Sequence, residues 1–237
     1  MIAEIDAQGL TTREINSRLR HMVGQGKQSV QVKNPAARHN LGVALLKPGH
    51  VHFKGSVGYY CGGLSDGISI EIDGSAGWGL AESMLSGNIR VHDNAGNGAA
   101  AAIRGGTVVI EGNAAARLGV SMKGGCVIVA GDCGYMAGFM GQKGTLIVCG
   151  DAGEAFADSL YATVCYVGGK IGGLGTDAVA SEVSSAEAEE LETLLTANLP
   201  AKIRANKPSA DKFRKVVAGR KLWNFDKREW KIWQEAL

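Results

Sequence analysis

The sequence predicts an all-β chain, a right-handed parallel β-helix of about seven 19-residue turns with short N-terminal and C-terminal helices and an extended C-terminal tail. Three observations point there. Small residues recur at a fixed step of 19 positions in three columns. Apolar strand residues recur in phase with them. Glycine, 35 of 237 residues, far exceeds ordinary usage, while only 4 prolines and a 19-residue period exclude a collagen-like chain. Self-similarity at a fixed short period is the mark of a repeat architecture.

The glycine motif is Gly-x-x-Gly-x-x-x-Gly, complete at Gly55, Gly58 and Gly62 and again at Gly131, Gly134 and Gly138. Its first column runs Gly55, Gly74, Asp93, Gly112, Gly131, Gly150, Gly169. The second runs Gly58, Gly77, Gly96, Ala115, Gly134, Gly153, Gly172. The third runs Gly62, Ala81, Ala100, Gly119, Gly138, Ala157, Thr176. One step back lands on Ala36, His39 and Val43. Glycine supplies positive φ at corners and lets backbones approach closely, so these columns read as the corners and narrow interior of a stacked coil.

The strands fall under the same step. Val51, Ile70, Ile89, Val108, Val127, Leu146 and Cys165 form one column, and Phe53, Ile72, Val91, Ile110, Val129, Val148 and Val167 another. Positions two apart share a face of a strand, so both columns point inward. Between them lie His52, Glu71 and Arg90, then Val109, Ile128, Ile147 and Tyr166. The outer face is therefore polar in the early turns and apolar later, where something must cover it. The chain's own helix at 184–199 is the expected cover. A helical repeat would need about 30 or more residues per unit, whereas a short strand with a Gly/Ala-rich remainder fits one turn of a parallel coil. Right-handed connection is the default for parallel crossovers.

Taken in order, residues 1–28 form an N-terminal cap. A short strand lies within 1–10, and Thr11 with Glu14 makes a capping box. Ile15, Leu19 and Met22/Val23 then give a helix over about 12–23, ended at Gly24. The β-helix occupies 29–180, and 176–183 is an exit strand or loop. Residues 181–237 hold a second helix and an aromatic, basic docking tail. Ser184 and Glu187 form a second capping box, Leu191, Leu194 and Leu195 the apolar face, and Pro200 the stop. Residues 200–237 carry 11 Lys/Arg against 4 Asp/Glu, and three of the four tryptophans lie there. Arg38 in the first turn, with Trp223, Phe225, Trp230 and Trp233 in the tail, are the candidate partner-interface residues.

Several function classes weaken on composition. A net charge of +2 gives no reason for a polyanion partner, and the tail's Trp230/Trp233 spacing with lysines outward reads as docking rather than nucleic-acid binding. No run of about 20 apolar residues predicts a membrane span. The N-terminus lacks a signal-peptide pattern, and five cysteines without a CxxC pair read as reduced core residues of a cytoplasmic protein.

No catalytic, cofactor-binding or metal site is expected in this chain. There is no Gly-x-Ser-x-Gly elbow, and Cys133 and Cys165 read as core residues rather than nucleophiles. His50 and His52 are taken to leave opposite faces of their strand, which would prevent a shared metal. His39 and His92 remain candidates to approach from neighbouring turns. Gly172–Gly175 fits neither phosphate-binding pattern and reads as a corner. Glu71/Asp73 and Asp151/Glu154 read as acids bonded within their own turns.

The repeated glycine motif resembles the C-terminal glycine-motif domain of the glutamate synthase large subunit, over about residues 30–180. Asn34-Pro35-Ala36-Ala37-Arg38-His39-Asn40-Leu41-Gly42 looks like the family's Asn-x-x-x-Arg-x-x-Gly lead-in. Gly112-Asn113, Gly131-Asp132 and Gly150-Asp151-Ala152-Gly153-Glu154 look like its later turns. Related domains serve as the β-helix subunit of formylmethanofuran dehydrogenase and of the formyltransferase/hydrolase complex. Within 237 residues the domain stands without amidotransferase or flavin domains. Together with the helix at 184–199 and the tail around Gly219–Phe225, this looks most like the middle subunit of N-methylglutamate synthase (methylamine–glutamate N-methyltransferase). The resemblance implies a non-catalytic scaffold in a cytoplasmic hetero-oligomer, set between an amidotransferase-like subunit and one carrying FMN and an iron–sulfur cluster. It also implies that the scaffold helps enclose an amine or ammonia passage.

Overall fold

The computed structural model describes residues 3–26 and 29–219. Nine strands pair in parallel, each one turn above the last: β1 (Ala3–Asp6), β2 (Ser29–Lys33), β3 (Gly49–Lys54), β4 (Ile68–Ile72), β5 (Gly87–Val91), β6 (Thr107–Ile110), β7 (Lys123–Val129), β8 (Lys143–Val148) and β9 (Ala162–Val167). The fold is a parallel β-solenoid of about seven turns. Val51 sits on Ile70, Ile70 on Ile89 and Ile89 on Val108, a 19-residue register. A second side stacks Val57, Ala76, Ala95, Ala114, Cys133, Ala152 and Ile171 through single bridges. Both inward strand columns are buried from Val30 to Val167, so one continuous apolar core fills the coil.

Two local departures from the period have physical causes. The first turn is longer: Val30 pairs with Val51, a step of 21. Gly42 (φ 66°), rather than Val43, therefore takes the corner below Gly62 (φ 67°). Between β7 and β8 the step changes from 20 at Lys123/Lys143 to 19 at Cys126/Thr145, an irregularity that absorbs one residue.

The three small-residue columns differ in kind. Only the third is a positive-φ column throughout the turns from Gly62 to Ala157: Gly62, Ala81, Ala100, Gly119, Gly138 and Ala157 have φ between 57° and 76°. The second is small because turns stack too closely for a Cβ. On Gly134 it would lie 2.8 Å from the Ala116 nitrogen and 3.0 Å from the Ala115 carbonyl carbon. The first is small because a side chain from the turn below fills the space. A Cβ on Gly112 would lie 2.5 Å from Asn94 Oδ1.

Both ends are capped by the chain itself. Helix α1 (Thr12–Gly24) has the Thr11/Glu14 capping box and buries Ile15, Leu19 and Val23. Asn16 ties it to the first corner: its Nδ2 donates to the Asn40 carbonyl at 2.7 Å, and its Oδ1 accepts from the Gly42 N–H at 2.8 Å. At the far end β10 (Ala178–Glu182) does not add directly to β9. Strand β11 (Arg214–Ala218) inserts antiparallel between them, so part of the segment read as a tail is a layer of the sheet stacked directly on the last turn of the coil. Trp223, Phe225, Trp230 and Trp233 lie outside the described residues.

Helix α2 (Ser185–Asn198), with the Ser184/Glu187 capping box, covers the later outer face. Leu191, Leu195, Leu199, Ala210 and Phe213 pack with Val109, Ile128, Ala130, Ile147 and Cys149 in a second core. Helix α3 (Ala201–Arg204) follows at once, and Arg204 Nε bonds Glu192 Oε1 at 3.0 Å to fold it back on α2.

Candidate functional site

The outward column between the two inward ones is where the solenoid keeps its chemistry. In the early turns it is not covered by α2, and polar side chains from successive strands meet there at the spacing of the ladder, about 4.8 Å. The row Lys54, Asp73, His92, Glu111 alternates in charge. Beside it run His52, Glu71 and Arg90, and beyond them His50.

The contacts form one network. His52 Nε2 is 2.6 Å from Asp73 Oδ1, and Lys54 Nζ is 3.0 Å from Asp73 Oδ2. His92 bridges two acids, with Nε2 at 2.8 Å from Glu71 Oε1 and Nδ1 at 3.0 Å from Glu111 Oε2. Arg90 Nη1 donates to Glu111 Oε1 at 2.8 Å. Its Nη2 donates to the Asn198 carbonyl at 2.7 Å. Helix α2 has no basic residue in its last turn, so Arg90 supplies the cation its terminal carbonyls favour.

This geometry shifts protonation. Hydrogen bonding from His92, aided by the nearby histidines, holds the Glu71 carboxyl below the usual carboxylate range. Burial works against the charge on His92, but its bonds to Glu111 and Glu71 outweigh that and raise its pKa. For Asp73, burial is likewise outweighed by the bonds from His52 and Lys54, and its pKa falls. A cleft of about 240 Å³ lies against the network, lined among others by His50, Glu71, Arg90 and Asn198.

Three expectations are corrected here. His50 and His52 share one face, because residues two apart on a strand point the same way. Both reach Glu71 Oε2, at 3.5 and 3.8 Å. Glu71 and Asp73 bond to histidines and Lys54 of other turns, not within their own. His39 and His92 do not meet: His39 stacks on Tyr59 (ring centroids 4.3 Å apart) while His92 sits between Glu71 and Glu111.

A second surface runs along the corner just past the second small-residue column. Tyr59 stacks on Trp78 with centroids 5.3 Å apart, extending the His39 stack over three turns. Tyr59 and Trp78 are half-exposed, as is Tyr135 further along the same column. A shallow groove beside them is lined by Tyr60, Glu82, Asn97 and Arg117. The sequence reading passed over these rings, although Tyr59 and Trp78 are 19 residues apart and the next column would have shown them.

The remaining candidates have quieter placements. Arg38 Nη1 donates to the Asn34 and Pro35 carbonyls at 2.9 and 3.0 Å. It thereby clamps a loop in which Asn34, Ala36, Ala37 and Asn40 all have positive φ. Cys133 is buried, which pushes its thiol up to about 12, and burial raises Cys165 further still. A reactive cysteine needs the opposite shift. At Gly172–Gly175 the acids Glu154 and Asp158 press against Gly173 and Gly175, and Asp158 Oδ2 accepts the Thr176 N–H at 3.0 Å. That corner presents carboxylates where a phosphate cradle would present free N–H groups. Asp151 serves the next turn rather than its own, accepting the Lys170 N–H at 2.7 Å. No helix among the described residues is long and apolar enough to cross a membrane.

No protein-family model matches the chain. Among solved structures it is similar to a chain of the formyltransferase/hydrolase complex (FhcABCD) from Methylorubrum extorquens, determined with methylofuran. The TM-score is 0.67 over 86% of this chain and 88% of that one, and at 22% identity the likeness is one of fold. Among curated proteins, Protein GlxC of Rhizobium meliloti (strain 1021) is 50% identical over 224 residues, 94% of this chain and 96% of that protein. With the likeness running through the cap, the coil and the covering helix, the chain belongs to the GlxC family.

Proposed function

We propose that this chain is the non-catalytic scaffold subunit of a glutamate-synthase-like hetero-oligomer, of the N-methylglutamate synthase type. It positions an amidotransferase-like subunit against a subunit carrying FMN and an iron–sulfur cluster, and helps enclose the passage through which an amine or ammonia moves between them. The observation that carries this is the glycine-laddered solenoid with its half-exposed stack of His39, Tyr59 and Trp78. The laddered coil is a rigid spacer. A row of aromatic rings aligned along a rigid edge is the kind of surface on which a partner finds anchoring contacts. The buried, proton-retaining thiols of Cys61, Cys133 and Cys165 are poor candidates for nucleophiles.

The test is isolation from the native host. Co-purification with a flavin-binding iron–sulfur protein and an amidotransferase-like protein is the expected result, with glutamate N-methyltransferase activity only in the complete assembly. A chain that purifies alone and monomeric overturns the reading. A second reading has its own support, the fold likeness to a chain of the formyltransferase/hydrolase complex. It expects amidohydrolase-like, metal-bearing partners instead.

A further inference from the structure

We propose that His50, His52 and Glu71 form a binding site for a single divalent transition-metal ion of the zinc class. The donors come from adjacent turns. His50 and His52 stand on the same outer face of β3, and Glu71 lies beside them on β4, paired directly with His52 in the ladder. Glu71 Oε2 is 3.5 Å from His50 Nε2 and 3.8 Å from His52 Nδ1. Two ligands bound at about 2.0–2.1 Å to a tetrahedral ion lie roughly 3.3–3.4 Å apart. The carboxylate is thus already near coordinating distance from each imidazole. The two ring centroids are 6.2 Å apart, so a shared ion needs the His50 side chain to swing toward the His52 ring that Asp73 holds. His50 is the more open of the two, its side chain 37% exposed against 17% for His52.

The supporting shell is the stronger argument. A metal-bound histidine characteristically donates its second ring N–H to a carboxylate, which fixes the ring and its tautomer. His52 Nε2 has that partner, Asp73 Oδ1 at 2.6 Å. With Nε2 engaged by Asp73, Nδ1 is the ring nitrogen left to face Glu71. The 3.8 Å between Nδ1 and Glu71 Oε2 leaves room for a bound ion. Glu71 is fixed from its other side, since its Oε1 is bonded by His92 Nε2 at 2.8 Å, and His92 is bonded in turn by Glu111. The coordinating atoms of His52, Glu71 and Asp73 all lie within 4.8 Å of one another, so Asp73 is near enough to assist. Lys54 already occupies its second oxygen, which favours the orienting role. Of the two cations beside the cluster, Lys54 is engaged by Asp73, and Arg90 is held by Glu111 and the Asn198 carbonyl. Two imidazoles and one carboxylate with an open fourth position suit zinc better than the all-oxygen preference of calcium or magnesium. His50 and Glu71 also line the cleft of about 240 Å³.

The experiment uses the full chain without a histidine tag, stripped by chelator and titrated with Zn2+ in a calorimeter and with Co2+ in the visible spectrum. The expected result is one ion per chain, intense d–d bands of a tetrahedral Co2+ site, and a higher thermal midpoint with Zn2+. His52→Ala and the double variant His50→Ala/His52→Ala should abolish uptake. Asp73→Asn should weaken it about 10- to 100-fold while leaving the stoichiometry at one. Cys133→Ala should change nothing, which separates this site from adventitious thiol binding. A stripped wild-type chain that takes up neither ion overturns the proposal. So does a folded double-histidine variant that binds as tightly as wild type. In either case the cluster is a network of ion pairs and hydrogen bonds only, and the reading of the chain as a scaffold is untouched.

Discussion

Asp132 Oδ1 accepts the backbone N–H of Asp151, one full turn above it, at 2.7 Å. The same oxygen fills the space a Cβ on Gly150 would need. The arrangement repeats from Asn94 to Asn113, from Asn113 to Asp132 and from Asp151 to Lys170, at 2.7–2.8 Å. Each turn thus caps the next with a side-chain oxygen, and each cap requires a glycine above it. Asp132→Ala is expected to cost about 1 kcal/mol, the net worth of one such bond. Urea unfolding would measure it, and an unchanged midpoint would show that water replaces the oxygen freely.

Gly134→Val is expected to be more damaging. The added side chain starts 2.8 Å from the Ala116 nitrogen, and the turn below cannot retreat without breaking its own bonds. Overpacking of this kind costs about 1–3 kcal/mol or more. Gly24→Ala is the control. It meets nothing within 4 Å and lies in α1, so it should be neutral or mildly stabilising. Equal thermal midpoints for the two variants would refute the close-stacking account.

Leu195→Ala tests the second core. Leu195 is fully buried within the cluster that joins α2 to the later turns. Truncation should cost about 2–5 kcal/mol. Amide exchange should accelerate in α2 and over Val109, Ile128 and Ile147, and little in the early turns. A uniform effect along the coil would mean that α2 is not a local cover.

Glu187 makes the fold acid-sensitive at one defined place. Its bond with Lys215 of β11, and those with the Ser184 cap, hold its carboxyl at about 2. A depressed folded-state pKa adds stability above the unfolded value, near 4.5, that disappears as pH falls toward about 2. The thermal midpoint of wild type should therefore exceed that of Glu187→Gln at pH 7, and the gap should close between those two values. A gap independent of pH would mean the interaction is not ionic.

Trp78→Ala should leave the coil folded, because the ring is half-exposed on the outside of its corner. Partner capture by the aromatic stack should fall, read as loss of co-purifying subunits in a pull-down from the native host. Full retention of the partners would move the interface elsewhere.

The period, the inward columns and both capping boxes were legible in the sequence because each depends on local spacing that stacking merely repeats. Val109, Ile128 and Ile147 even announced that a cover was needed, and the structure shows the expected helix, α2, providing it. What was not legible lies across turns. That His50 and His52 share a face follows from their spacing alone, but no reading of one strand could show that Glu71 of the next turn lies near both. The glycines looked alike in the sequence, yet Gly62 sits in a positive-φ column that alanine also fills, while Gly134 is needed for closeness and Gly150 for the oxygen beneath it.

The sequence by itself therefore determined the coil, since a 19-residue step of small and β-branched residues has few other ways to bury its apolar columns. Only the tertiary structure decided how the coil ends and what its outside holds. Strand β11 enters antiparallel between β9 and β10, and Arg90 reaches 108 positions along the chain to the carbonyl of Asn198. Such contacts depend on which residues stacking brings together, and a side chain's partner one turn away carries no local signal at either position.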